Sequence, residues 1–268
     1  ASTTGTSVVL VQGASVDDTV EIIVFDVFSV ADTVSAGSGG SFGGNIGIGG
    51  TLSVTGNVVS PITLGGTTPT LTIGDAGAED TKIVFDGNAQ DYHIGLDDSA
   101  DTLVIGKGSA LGTTTAMSFD ANGIITQPLQ PAFLARPAST QSNVPINANT
   151  TIVFGSEVFD QNGDFTNNTF TAPVTGKYQL NVQLLVQQMD KATDYYAFQL
   201  TTSNRNFWVY YDNDDKAADN SNGDGQQVIV LTDMDAGDTA YVLVSIPNNG
   251  AAQMDVVNGS AFSGYLVC

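Results

Sequence analysis

The chain has 268 residues, of which 41% are hydrophobic, so it can bury a sizeable core. Seven Lys and Arg stand against 28 Asp and Glu, which gives a formal net charge of -21. Such a surface repels phosphate backbones and anionic membranes, which disfavours nucleic acid and membrane-surface partners. No apolar run reaches the roughly 20 residues that a bilayer span needs, so we expect no membrane insertion.

The only cysteine is the last residue, Cys268. No disulfide can therefore form within the chain, and a cysteine-rich zinc cluster is excluded. The sequence starts with Ala1 rather than Met and shows no signal peptide, which suggests processing or a fragment of a longer chain.

Short apolar runs with a period of two recur along the chain between Gly, Asn and Asp, without an amphipathic helical window. The sequence therefore predicts an all-β protein. Residues 6–12 and 17–29 form two predicted strands, and we assign residues 1–34 to an N-terminal β piece. Two strands alone are marginal in water, so this piece needs an upstream strand or a neighbouring subunit.

A glycine- and serine-rich linker is predicted at residues 35–50. It contains Gly39-Gly-Ser-Phe-Gly43, which formally matches the nucleophile elbow of hydrolases. No helix is predicted after it, so we interpret the match as chance. The only histidine of the chain, His93, is predicted to be a strand residue at a subunit contact rather than a base.

Residues 51–127 contain short predicted strands that end at Asp, Gly or Asn turns. These strands are predicted at residues 82–87, 92–98, 102–108 and 116–123. Such units are too thin to bury a core alone, but several chains wrapped around one axis would share their cores. We predict a repetitive, intertwined β shaft; the alternative is an ordinary small sandwich.

Two prolines within residues 127–131 interrupt any strand ladder and mark a boundary. Beyond it, residues 178–186 alternate apolar and amide side chains, so one face is core and the other is a subunit contact or solvated. Further strands are predicted at residues 196–200, 206–211, 227–231, 240–246 and 260–267. With turn-rich loops between them, these strands indicate a jelly-roll sandwich.

Five landmarks follow one another in residues 128–268, which we call the head. They are the opening strand at residues 131–135, the turn at 158–160, the stretch FTAPVTGKY at 170–178, the Gly237-Asp238 turn and the closing FSGYL at 262–266. In this order they resemble the C1q/TNF-like jelly-roll domain. The resemblance implies a compact trimer whose loops bind diverse ligands without catalysis. No collagen-like Gly-X-Y repeat precedes this segment.

Recurrent, low-complexity β repeats at residues 13–26 and 75–123 resemble segments of tail fibres from marine bacteriophages. Together the two resemblances imply a homotrimeric, extracellular virion appendage with the head at its tip. The implied function is non-enzymatic attachment to a host-cell surface glycan or protein, with an upstream fibre or neighbouring subunit as a further partner. The alternative is a structural subunit of an extracellular filament or capsid decoration, assembled through the N-terminal β piece and the head.

Catalysis has little support in the sequence. A single histidine and no reactive cysteine limit acid–base and nucleophilic schemes. A glycan-cleaving enzyme would need two carboxylates facing across a groove. We therefore predict that the protein is not an enzyme and requires no cofactor.

Calcium is the one metal ion for which the sequence offers ligands. Residues 220–225 begin like an EF-hand loop, but Leu231 stands where a bidentate Glu is required, which excludes an EF-hand. A looser calcium site can use clustered carboxylates, and the alternative is a solvated acidic loop. The candidate ligands are Asp212, Asp214, Asp215 and Asp219.

Aromatic residues precede this acidic loop. Strand alternation requires some of Phe207, Trp208, Tyr210 and Tyr211 to face outward or towards another subunit. Exposed aromatic rings stack on sugars and anchor interfaces, whereas buried rings fill the core. We predict a receptor-binding site at Trp208, Tyr210, Tyr211 and Asp212; the alternative is core and trimer interface.

Overall fold

The computed structural model describes residues 13, 15–19, 47–59, 61–212, 223–247 and 249–268. The chain divides into two compact units, Ala1–Pro69 and Thr70–Cys268. In the first unit the described residues form turns and irregular chain without a strand. Nearly all of the predicted N-terminal β piece, and most of the predicted linker, lie outside the described residues.

Strands dominate the described part of the chain, where the only helix is a three-residue 3-10 turn at Asp98–Ala100. The all-β prediction is confirmed. No helix within these described ranges has the length and apolar character needed to span a membrane.

The first sheet is an antiparallel meander in which each strand pairs with the next along the chain. Its strands are β1 (Thr81–Phe85), β2 (Tyr92–Asp97), β3 (Thr102–Lys107), β4 (Thr115–Phe119) and β5 (Ile125–Thr126). Asp side chains shape its turns because they accept hydrogen bonds from nearby backbone N–H groups. Asp97 Oδ1 accepts from Ala100 N at 3.2 Å, and Asp120 Oδ1 accepts from Ile124 N at 2.7 Å.

The two faces of this meander differ. The register aligns Ile83, Ile94, Ile105 and Met117 in one row across β1 to β4. Successive side chains of a strand point to opposite faces, so this row lies on one side of the sheet. We call that side the open face and the other side the covered face.

Segment 108–114 of the same chain covers this face over β2 and β3. A Cβ atom on Gly106 would lie 2.5 Å from the His93 ring and 2.9 Å from the Thr114 carbonyl oxygen, so only glycine fits there. Lys82 Nζ also donates to the Ser109 carbonyl at 2.7 Å. Under this segment His93 and Val104 are 1% and 2% exposed.

Twelve strands follow in the described part of the head. In chain order they are β6 (Ala132–Arg136), β7 (Ala148–Thr151), β8 (Ser156–Asp160), β9 (Phe165–Thr166), β10 (Thr169–Thr171), β11 (Gly176–Gln187), β12 (Tyr196–Thr202), β13 (Asn206–Tyr211), β14 (Asp224–Met234), β15 (Thr239–Ile246), β16 (Asp255–Val256) and β17 (Ala261–Leu266). They form two sheets. The β11 sheet has the order β14-β11-β17-β6-β8, with β16 also paired to β11. The β12 sheet has the order β13-β12-β15-β10-β9, with β7 also paired to β15.

The core of the head lies between these two sheets. β11 buries every second side chain from Tyr178 to Val186, and β12 contributes Tyr196, Phe198 and Leu200. Full burial of such side chains contributes about 1.5 to 3 kcal/mol each relative to exposure. The apolar side chains that alternate along these strands therefore stabilise the sandwich. The jelly-roll prediction is confirmed.

Candidate functional site

β13 is an edge strand of the β12 sheet, and its side chains alternate between core and solvent. Phe207, Val209 and Tyr211 pack against the core. Trp208 and Tyr210 lie on the opposite side, with 41% and 63% of their surfaces exposed. Two of the four aromatic residues singled out in the sequence therefore face away from the core.

A third ring joins these two on the outer surface. The Trp208 and Tyr210 rings stack with centroids 5.9 Å apart and planes 22° apart, and Tyr195 meets Tyr210 edge-on at 5.4 Å. Tyr195 is 39% exposed. We call Tyr195, Trp208 and Tyr210 the aromatic patch. Sequence reasoning missed Tyr195, although its place beside the buried Tyr196 at the start of β12 indicates an outward side chain.

Polar and small side chains of β12 border the aromatic patch. Trp208 lies opposite Gln199 across the β12–β13 pair, and Tyr210 lies opposite Ala197. Gln199 is only 4% exposed, so the patch presents mainly ring surface to solvent. Exposed Trp and Tyr rings, which carry polar N–H and O–H groups, suit a ligand with an apolar face and hydroxyl groups, such as a sugar.

The other two predicted receptor residues occupy different positions. Tyr211 lies on the core side and is half-buried, and its hydroxyl donates to Asp224 Oδ2 at 3.1 Å. Asp212 is exposed directly after β13. Tyr211 therefore ties β13 to β14 in this structure, while Asp212 stands at the strand end beyond the patch. A receptor role for either residue remains a prediction.

The predicted calcium ligands Asp214, Asp215 and Asp219 lie outside the described residues. Within the described ranges, no group of three or more His, Cys, Asp or Glu side chains is placed to hold a metal ion. Calcium binding in the acidic loop remains a prediction.

The acidic pair Asp160 and Asp164 lies at a turn of the head. The two carboxylate oxygens of Asp160 accept hydrogen bonds from the backbone N–H groups of Asp164 and Phe165, at 3.0 and 2.9 Å. Burial, followed by the nearby Asp160 charge, raises the pKa of Asp164 above its ordinary value. These contacts shape the loop between β8 and β9.

His93 lies on β2, facing the covered face. Its Nδ1 is 2.8 Å from the Gly108 carbonyl oxygen, and its Nε2 is buried without a hydrogen-bond partner. Its neighbours are residues of its own sheet and segment. The His93 ring is therefore buried within its own chain and is not exposed to a neighbouring subunit, contrary to the predicted subunit contact.

The outer face of the β11 sheet is a second surface of interest, which we call the amide face. The outward side chains of β11 include Gln179 and Asn181, and Gln179 Nε2 donates to Asn181 Oδ1 at 3.1 Å. On β14, Ile229 and Leu231 are 63% and 57% exposed. Towards the other edge the same face carries Leu134, Phe159 and Tyr265. Amides thus lie between two apolar margins.

Several solved structures are similar to part of this chain. The globular domain of zebrafish complement 1qA protein is 15% identical, covers 52% of this chain and 98% of its own, and has a TM-score of 0.40. Murine APRIL, crystallised at pH 8.5, is 13% identical, covers 52% of this chain and 99% of its own, and has a TM-score of 0.37. The PRD1 vertex protein P5 is 12% identical, covers 52% of this chain and 96% of its own, and has a TM-score of 0.34.

No curated protein matches the chain. The family model of the C1q domain matches residues 132–267. This range begins with β6 and continues past β17, so it spans both sheets of the head. The chain belongs to the C1q domain family.

Proposed function

We propose that the chain is a non-enzymatic, homotrimeric viral fibre protein or adhesin whose head recognises a receptor on the host-cell surface. In this proposal it is part of an extracellular virion appendage, joined to an upstream fibre or neighbouring subunit. The receptor is a surface glycan or protein. The observation that carries the proposal is the aromatic patch, in which two exposed rings of the edge strand β13 are grouped with the ring of Tyr195.

The patch suits binding because its rings are already ordered. Trp208 is stacked against Tyr210, and Tyr210 is braced by Tyr195. A ligand that settles on such rings loses little further side-chain freedom, and exposed aromatic anchors dominate the binding energy of many interfaces. The net charge of -21 disfavours anionic ligands, so a neutral saccharide or a neutral protein surface fits best.

The amide face supports the homotrimer. The register aligns Ile229, Asn181, Ser263 and Leu134 in one row across this face, without a charged side chain. Interface centres are depleted of charge and enriched in aromatic residues, and Tyr265 lies on the same face. Three heads held together would present three aromatic patches, so weak sites would bind a cell surface jointly.

Binding of the fluorescently labelled full chain to host cells tests this proposal. We expect Trp208→Ala combined with Tyr210→Ala to weaken binding at least about tenfold, because the two main ring anchors are lost. Val153→Ala, which trims a side chain 45% exposed elsewhere on the head, is the control and should bind normally. Unchanged binding by the double variant, at the wild-type oligomeric mass, would refute the receptor site.

Immunogold electron microscopy with an antibody against residues 128–268 separates the proposal from its alternative. Label confined to the free tips of virion appendages would support an adhesin. Label at regular intervals along a continuous filament would instead indicate a structural subunit, with the head contacting its neighbours.

A further inference from the structure

The open face of the β1–β5 sheet is apolar from edge to edge. Ten apolar or aromatic side chains lie on it: Ile83, Phe85, Tyr92, Ile94, Leu96, Leu103, Ile105, Met117, Phe119 and Ile125. Seven of them are between 37% and 60% exposed. An isolated protein gains nothing from such an array, since each exposed apolar group costs free energy in water.

The covered face shows that this small sheet can bury side chains. Segment 108–114 packs over the covered face, where Leu111 approaches Gly95 and Val104 is 2% exposed. The described part of the chain thus supplies a cover for one face. The larger apolar side chains are on the other face, which the described residues leave largely exposed, with Ile73 beside Ile83 and Leu96.

The open face differs in charge from the rest of the chain. Besides the ten apolar or aromatic side chains, the strands place only Thr81 and Lys107 on this face. None of these strand side chains is acidic. The chain as a whole carries 28 Asp and Glu. A surface without carboxylates lets strongly acidic copies meet there without direct repulsion between carboxylates.

The size of the face agrees with a subunit contact. Seven side chains that are about half exposed leave roughly 500 to 600 Å² of apolar surface, which is at the upper end of the largest patches on ordinary monomers. A stable interface buries about 800 Å² on each partner. Half-buried Ile94, Met117 and Phe119 extend the open face towards that value.

We propose that the open face packs against the same face of two other copies of this chain, around a three-fold axis. This inference rests on the homotrimer of the proposed function and places a second trimer contact outside the head. A closed three-fold arrangement buries all three faces equally and leaves none to recruit further chains. The row of Ile83, Ile94, Ile105 and Met117 then lies nearest the axis.

Cysteine cross-linking of the full chain tests the contact. In a Cys268→Ser background, Ile105→Cys places a thiol on the open face, and Val84→Cys places one on the covered face. The two native side chains are equally exposed, at 37% and 36%. After mild oxidation we expect covalent dimers from Ile105→Cys and at least about tenfold less from Val84→Cys, because close symmetric approach raises the effective concentration.

Light scattering distinguishes the possible failures. Three 27.7 kDa chains give about 83 kDa. If the chain has this mass but Ile105→Cys cross-links no better than Val84→Cys, the open face is not the contact and the trimer is held by the head alone. A monomer that still binds cells would overturn the inference while the attachment function stands.

Discussion

Phe133 is the residue of the head whose truncation we expect to be most costly. It is 1% exposed, and its ring lies 4.8 to 4.9 Å from those of Phe165, Phe170 and Phe262. Truncating a buried Phe to Ala costs about 3 to 5 kcal/mol, because the lost transfer energy is joined by an unfilled cavity. Three ring partners place Phe133→Ala near the upper end of that range, at about 4 to 5 kcal/mol.

Urea unfolding measures this loss. Trp208, the only tryptophan, reports on the head by its fluorescence. A cost of 4 to 5 kcal/mol moves the midpoint by about 2 M when the urea dependence is about 2 kcal/mol per M. All variants must be compared at one protein concentration, because association links stability to concentration.

Two further variants make the measurement decisive. Phe133→Leu keeps most of the volume and should lose about 1 to 2 kcal/mol. Leu129→Ala removes a side chain that is 44% exposed and should change the free energy of unfolding by under about 0.5 kcal/mol. A midpoint shift for Phe133→Ala no larger than that of Leu129→Ala would refute the ring cluster as the centre of the core.

Two other substitutions test close packing and charge in the head. Gly264→Ala should destabilise the protein by about 1 to 3 kcal/mol, because the added Cβ would lie 2.6 Å from Leu180 Cδ2. Gly225→Ala is the control and should be nearly neutral, because open space surrounds Gly225. Equal effects of the two variants on the unfolding midpoint would contradict this prediction. The pKa of Asp164 is raised by burial and by the Asp160 charge, so its contribution to stability is fully present below the ordinary pKa and is lost as pH rises through the raised value. The free energy of unfolding of Asp164→Asn should therefore rise relative to that of the wild type as the pH goes from acidic to neutral. A difference between the two that stays constant across this pH range in urea titrations would contradict the prediction.

The positions of the longer strands could be predicted because their signals are local. Short strands such as β7 and β9 were not predicted, and the turn predicted at residues 158–160 was wrong, because these residues lie within β8. In β11, apolar residues alternate with amides after a Thr-Gly turn, and the strand forms over Gly176–Gln187. The Asp and Gly turns between β1 and β5 similarly end each strand close to its predicted boundary. Period-two alternation also indicated that β13 must expose some of its aromatic residues.

The composition of the aromatic patch required the tertiary structure. Alternation alone allowed either Trp208 with Tyr210, or Phe207 with Tyr211, to face outward. The core packing of β13 decides between them, and it turns Tyr211 inward to hydrogen-bond with Asp224. Tyr195 joins the patch through the pairing of β12 with β13, which local sequence does not report.

By itself, the sequence determined the all-β class, the positions of the longer strands and the acidic, cysteine-poor composition, because period, turn residues and charge are readable within a few residues. The tertiary structure decided which faces are covered. Segment 108–114 closes one side of the β1–β5 sheet through its approach to Gly95 and His93, and the register aligns Ile83, Ile94, Ile105 and Met117 on the other. These contacts join different strands and the segment between β3 and β4, so they form only when the strands have paired.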